Sequence, residues 1–288
     1  MTEDYIDSGI IDPAELHALL QAGSVKLVDA TFVLPNSPQT PFENYTRQRI
    51  GPAVFFDVEE ICDHNTSLPH MLPSAAAFEA AVSRLGISND DLVVVYAQTG
   101  MVMGPARVWW MFRVFGHDRV CVLNGGLPAW LAAGHPLETK PPPVAKPGRF
   151  KAIFRANLVK DLESVKEASG GGSAAILDAR PAARYAGTAP EPRPGMRSGH
   201  IPGSHNLPAL SLIDGGSGRI KPKSDIESLL QGIGINAQKP VIASCGSGVT
   251  ACMIALALFH IGKKDVAVYD GSWSEWGHES ADTPLSTS

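Results

Sequence analysis

Residues 239–258 read KPVIASCGSGVTACMIALAL. The apolar run Val241-Ile242-Ala243 stops at Ser244, as a short buried strand does. Gly246 and Gly248 then punctuate a loop that carries no charge. From Ala251 to Leu258 the chain is apolar, with neither glycine nor proline, which predicts a helix buried on every side. Thr250 is placed to cap that helix and Gly262 to end it. Strand, glycine loop and buried helix in so short a span predict one βα unit of a parallel sheet covered by helices.

The same grammar recurs through the chain. DLVVVY (91–96) reads as a second such strand, and VVVYAQTGMVMGPARVWW continues it into a helix. LVDATF (27–32) matches ILDARP (176–181), each a short apolar run that ends in aspartate. Each follows a helical stretch, PAELHALLQAG in one case and DLESVKEASGG in the other. RIGPAVFF (49–56) matches HIPGSHNL (200–207). FGHDRVCVLNGGLPAW (115–130) matches HIGKKDVAVYDGSWSEW (260–276). The pieces keep their order, so the chain reads as two copies of one α/β domain. Between them lies ETKPPPVAKPGR (138–149), whose three consecutive prolines exclude a helix or central strand. The expected boundaries are 1–137, a linker at 138–150, and 151–288.

Composition narrows the functional classes. With 288 residues, 44% of them apolar, the chain can build two sizeable cores. A net charge of −5 argues against nucleic acid or an anionic membrane surface as partner. No window is long and apolar enough to span a bilayer, and MTEDYIDSGI does not read as a signal peptide. The four cysteines (Cys62, Cys121, Cys245, Cys252) are too few for a disulfide framework, so reduced thiols and a cytoplasmic location are expected.

Cys245 stands where ligands bind in such sheets, beyond the carboxyl end of a strand. Gly246 and Gly248 permit backbone conformations in which successive N–H groups turn inward and form an anion nest. The positive end of the following helix favours negative charge in the same place. The loop is suited to a thiolate and to the anions formed on it. In the first copy Gln98-Thr99 fall where the cysteine is expected, so only the second copy would do chemistry.

Tandem α/β domains, a cysteine in the second alone, and CGSGVTA after a strand resemble the rhodanese-type sulfurtransferases. PARVWWMFRVFGH (105–117), LNGGLPAW (123–130), PEPRPG (190–195) and GHIPG (199–203) extend the resemblance over nearly the whole chain. It implies two tandem rhodanese-like domains. It also implies that Cys245 takes sulfur from a small-molecule donor as a persulfide held by the backbone of Gly246, Ser247, Gly248, Val249 and Thr250. A thiol, thioredoxin or cyanide would accept that sulfur, and no cofactor or metal is implied. Arg184 and Arg193 match the family positions that grip a donor carboxylate, a task that suits the guanidinium fork. Ser247 matches the serine beside the nucleophile, and His70 the histidine of a proton relay drawn from the first domain. The acid of that relay falls on Glu59 where aspartate is the pattern, with Asp57 and Asp63 close by. The uncharged loop favours 3-mercaptopyruvate over thiosulfate, since thiosulfate-using members carry basic residues there.

Three other readings fit the residues less well. A phosphatase of related fold needs arginine six residues after the cysteine, where this chain has Ala251. A metal site at Cys62, Asp63, His64 and His70 lacks the preformed spacing of a structural zinc. A non-catalytic binding module has no need of a cysteine in a glycine nest.

Overall fold

The computed structural model describes residues 4–33, 40–142, 144–235 and 239–287. It contains two five-stranded sheets. The first is formed by β1 (Ile10–Ile11), β2 (Lys26–Asp29), β3 (Val54–Phe55), β4 (Val93–Tyr96) and β5 (Val120–Leu123), in the order β1-β5-β4-β2-β3. The second is formed by β6 (Val159–Lys160), β7 (Ala175–Asp178), β8 (Ser204–Asn206), β9 (Val241–Ser244) and β10 (Ala267–Tyr269), in the equivalent order β6-β10-β9-β7-β8. Every strand pair is parallel. β4 and β9 are buried throughout, which is why they read as unbroken apolar runs rather than as alternation.

Register fixes how the two copies correspond. Asp29 at the end of β2 lies opposite Tyr96, and Asp178 at the end of β7 lies opposite Ser244. The residue equivalent to Cys245 is therefore Ala97, one position before the expected Gln98. Gln98 has another task, since its Nε2 donates to Asp29 Oδ2 at 2.8 Å and to the Gln48 carbonyl at 3.0 Å. Burial pushes the Asp29 carboxyl up, against the opposing bonds from Thr31, Gln98 and Tyr96.

The helix Ala251–His260 is buried from Ala251 to Phe259. Each fully buried Ile or Leu in it, such as Ile254, Leu256 and Leu258, contributes about 1.5–3 kcal/mol. At its end Gly262 adopts φ +101°, donating to Phe259, and Lys263 donates to Leu258, a Schellman closure. Thr250 differs from expectation. It sits at the N-cap with helical dihedrals and its side chain makes no capping bond, because the loop enters already coiled. In the first copy the equivalent helix, Met103–Val114, presses Gly104 against the chain leaving β2. A β-carbon there would lie 2.0 Å from the Ala30 carbonyl oxygen. Gly104→Ala is expected to destabilise the protein by about 1–3 kcal/mol, read from the denaturant midpoint, because only backbone movement can relieve the clash.

The chain forms two compact units, and each borrows from the other half of the sequence. The first comprises Met1–Cys62, Leu72–Arg155 and Asp214–Ile220, and the second Asp63–Met71, Ala156–Ile213 and Lys221–Ser288. The exchanged segments begin at equivalent points, the same number of residues past the ends of β3 and β8. Each opens with an aspartate that folds its own turn, Asp63 onto the Asn65 amide (2.9 Å) and Asp214 onto the Ser217 amide (2.8 Å). Asp214–Ile220 is anchored in the first unit by Arg219 Nη1 on Asp12 Oδ1 (3.1 Å) and by the Ile220 amide on Asn124 Oδ1 (2.9 Å).

The proline-rich stretch is bound along the first unit. Arg49, buried, donates to the carbonyls of Lys140 and Pro141 (2.8 and 3.1 Å), and the Gly148 amide donates to Ser83 (2.7 Å). Pro143 lies outside the described residues.

Candidate active site

Cys245 follows β9 directly and is 1% exposed. Its amide donates to Ser272 Oγ at 3.1 Å, and the Ser272 hydroxyl donates to the Tyr269 carbonyl at 2.7 Å. Ser272 is fully buried with φ +49°, a left-handed conformation that a residue with a side chain holds only at a cost of about 1–3 kcal/mol. It ties the end of β10 to the start of the cysteine loop.

The two edges of the loop are treated differently. Its first carbonyls are bound by the short helix Ser272–Trp276. Trp273 N–H donates to Cys245 O (3.0 Å), while Ser274 donates to Gly246 O through both its amide (2.8 Å) and its hydroxyl (2.7 Å). The amides of Gly246, Ser247, Gly248, Val249 and Thr250 have no acceptor among the described residues. Gly248, at φ +77°, supplies the turn that such a row of N–H groups needs. The arrangement is an anion nest at the N-terminus of the helix Ala251–His260.

Two guanidinium groups converge on this nest. A β-carbon at Gly246 would lie 3.2 Å from Arg184 Nη2 and 3.8 Å from Arg193 Nη1, so the glycine is what admits them. Arg193 Nη2 lies 3.4 Å from Ser247 Oγ and 3.3 Å from His70 Nε2. A guanidinium only donates, so Nε2 is the accepting nitrogen in this contact. His70, 7% exposed and at φ +60°, reaches Arg193 because its segment, Asp63–Met71, is part of the second unit. Cys245, Ser247, His70, Arg184 and Arg193 thus all lie in one unit. Ser247 and His70 meet through Arg193. Glu59 is exposed and belongs to the first unit, where its amide donates to Asp57 Oδ1 at 2.9 Å.

Behind the arginines stands an ion-pair network that sequence reasoning missed. Arg184 Nε donates to both Glu191 oxygens at 3.1 Å, and its Nη2 donates to Oε2 as well. Glu191 also accepts from Arg180 Nη1 at 2.9 Å. Arg180, 1% exposed, forks onto Asp178 (2.7–3.1 Å), donates to Gly199 O (2.9 Å) and stacks 4.1 Å from the Trp273 ring. Burial works against its charge, and Asp178 and Glu191 outweigh that, holding the guanidinium above its ordinary value. The available signal was the pair of ionic residues in LDAR, at the end of a buried strand, and the glutamate inside PEPR.

Among the four cysteines, Cys121 lies buried in β5. Cys252 lies buried in the helix, its Sγ 3.3 Å from the Gly248 carbonyl. Cys62 is half-buried and closes the first segment of unit one, while Asp63, His64 and His70 belong to unit two. Among the described residues, no group of His, Cys, Asp and Glu is assembled to hold a metal, and no helix is long and apolar enough to cross a membrane.

The family model for the rhodanese-like domain matches residues 12–133 and again 161–279. A mitochondrial protein of Arabidopsis thaliana named thiosulfate/3-mercaptopyruvate sulfurtransferase 1 is 42% identical, covering 94% of this chain and 76% of its own. The thiosulfate sulfurtransferase of Rattus norvegicus is 44% identical, covering 88% of this chain and 85% of its own. The crystal structure of SseA from Escherichia coli, a 3-mercaptopyruvate sulfotransferase, superimposes with a TM-score of 0.84 at 35% identity. That match covers 93% of this chain and 100% of SseA.

Proposed function

The chain belongs to the rhodanese family of sulfurtransferases, and we propose that it takes sulfur from 3-mercaptopyruvate through a persulfide on Cys245. The observation that carries this reading is the nest beside Cys245, whose loop has no charged side chain of its own, with the guanidinium groups of Arg184 and Arg193 converging on it at Gly246. 3-Mercaptopyruvate carries a carboxylate that such guanidinium groups can hold while its sulfur faces the cysteine.

The Cys245 thiolate attacks the donor sulfur. An S–S bond forms, the C–S bond breaks, and its electron pair passes to the carbon as the enolate of pyruvate, which then takes a proton. Arg184 and Arg193 hold the carboxylate and the keto oxygen on which enolate charge develops. The amides of Gly246 to Thr250 hold the charge of the persulfide. An acceptor thiolate, such as that of thioredoxin, or cyanide then attacks the outer sulfur and returns Cys245 to the thiolate. Ser247 and His70 are the proposed route for the proton that pyruvate gains. The proposed division of the chain is 1–137, 138–150 and 151–288, with the nucleophile in the last part. Four free cysteines suit a reducing compartment such as the cytoplasm.

The test is steady-state kinetics with 3-mercaptopyruvate and thiosulfate side by side, using one acceptor. A higher kcat/KM for 3-mercaptopyruvate is expected, and preference for thiosulfate would overturn the donor assignment. Arg193→Ala and Arg184→Ala are each expected to lower kcat/KM for 3-mercaptopyruvate by about one to two decades, the worth of a charged hydrogen bond. Arg193 should cost more, because Arg184 is already engaged by Glu191. Wild-type kinetics in both variants would remove the carboxylate clamp.

A further inference from the structure

We propose that Glu191 sets the charge of the donor this site accepts. The inference rests on the sulfurtransferase reading above and adds a specificity-determining residue to it. Arg180, Arg184, Arg193, Asp178 and Glu191 cluster beside the cysteine loop. Arg180 is neutralised where it stands, buried and forked onto Asp178. Glu191, whose side chain is 4% exposed, bonds Arg180 on one oxygen and Arg184 on both. Arg193 contacts His70 Nε2 and Ser247 Oγ and no carboxylate among the described residues. Three guanidinium charges against two carboxylates leave one net positive charge, and it resides on Arg193.

A site with one uncompensated positive charge suits a donor that carries a single negative charge. A dianion such as thiosulfate brings a second charge that this cluster leaves unmatched. Glu191 accomplishes this without touching the donor, by cancelling through Arg184 a cation that stands 3.2 Å from the β-carbon position of Gly246. Its buried carboxylate is poorly screened by solvent, so its effect on an anion at the loop is large. The absence of basic residues in the loop is then half of the selectivity, and the other half is a carboxylate behind an arginine.

The experiment varies the net charge of the cluster at nearly constant shape. Arg184→Gln brings it to zero, wild type and the double variant Arg184→Gln/Glu191→Gln stand at one, and Glu191→Gln raises it to two. The readout is the ratio of kcat/KM for thiosulfate to that for 3-mercaptopyruvate, with the ionic-strength dependence of the thiosulfate value. Glu191→Gln is expected to raise the ratio about tenfold and to steepen the salt dependence. Arg184→Gln is expected to lower the ratio, and the double variant to return it near wild type although its absolute rates fall. If Glu191→Gln does not fold, Arg184→Gln against the double variant still supplies one step of the series. Ratios that stay within threefold across the folded variants, or that fail to follow net charge, would overturn the proposal. A wild type that prefers thiosulfate would instead overturn the donor assignment, and would leave the slope of the series to be read by itself.

Discussion

Cys245→Ser is expected to lower sulfur transfer by roughly three decades or more while leaving the protein folded. Serine is close to isosteric, and the nest that receives it offers N–H donors to an oxygen as readily as to a sulfur. The change in stability should therefore stay within about 1 kcal/mol. The chemistry cannot survive, because a hydroxyl group is too weak a nucleophile toward sulfur and forms no persulfide. Mass spectrometry of the wild-type protein after exposure to donor should find one added sulfur on the peptide containing Cys245, and none in the variant. The other thiols make the test discriminating. Cys121 and Cys252 are buried in structural elements, while the Cys62 thiol donates to the Glu59 carbonyl at 3.0 Å. Sulfur found on any of those three would show the assignment to be wrong.

Arg180→Met is expected to give the largest loss of stability among changes that leave the cysteine loop intact. The methionine fills much of the arginine's volume and keeps an apolar contact with Trp273, so the effect isolates the charge. It leaves Asp178, 1% exposed, without its fork, and Glu191 with Arg184 alone. Breaking a buried pair by removing one partner costs about 3–5 kcal/mol, far more than the pair adds over an apolar replacement of both. For a domain of this size that corresponds to a fall in melting temperature of roughly 10 °C. Calorimetry on the whole chain measures it, and a fall of less than about 3 °C would mean that solvent or rearrangement satisfies the two carboxylates. Asp178→Asn in the Arg180→Met background should recover part of the loss, because it removes one of the two stranded charges.

The fold was legible because its signals are local. Apolar runs that end in aspartate, glycine after a strand and an apolar helix all lie within a few residues of one another. Their repetition in the same order announced two copies. The cysteine loop was legible for the same reason, since strand end, glycines and thiol are contiguous. What escaped depended on partners distant in sequence. The equivalence of Ala97 with Cys245 follows from the pairing of Asp29 with Tyr96, which loop lengths obscure. Ser272 holds the Cys245 amide across 27 residues, with no motif to mark it. PEPR drew attention to Arg193 through the family resemblance, while nothing in the sequence marks the bonds of the glutamate two residues earlier to Arg180 and Arg184.

The exchanged segments bear on how the protein is made. Residues Asp214–Ile220 complete the first unit, and Arg219 finds Asp12 across a sequence separation of 207. A nascent chain that has left the ribosome only as far as the proline-rich stretch holds all five strands of its first sheet, yet the Asn124 side chain still lacks the Ile220 amide. The loops beyond β4 and β5 stay uncovered until most of the second half has been translated. Closing so long a loop costs little more than closing a short one at equilibrium, but it delays the last step of the first unit until late in synthesis. A chain cut at the linker would release two halves, each missing the piece that the other carries.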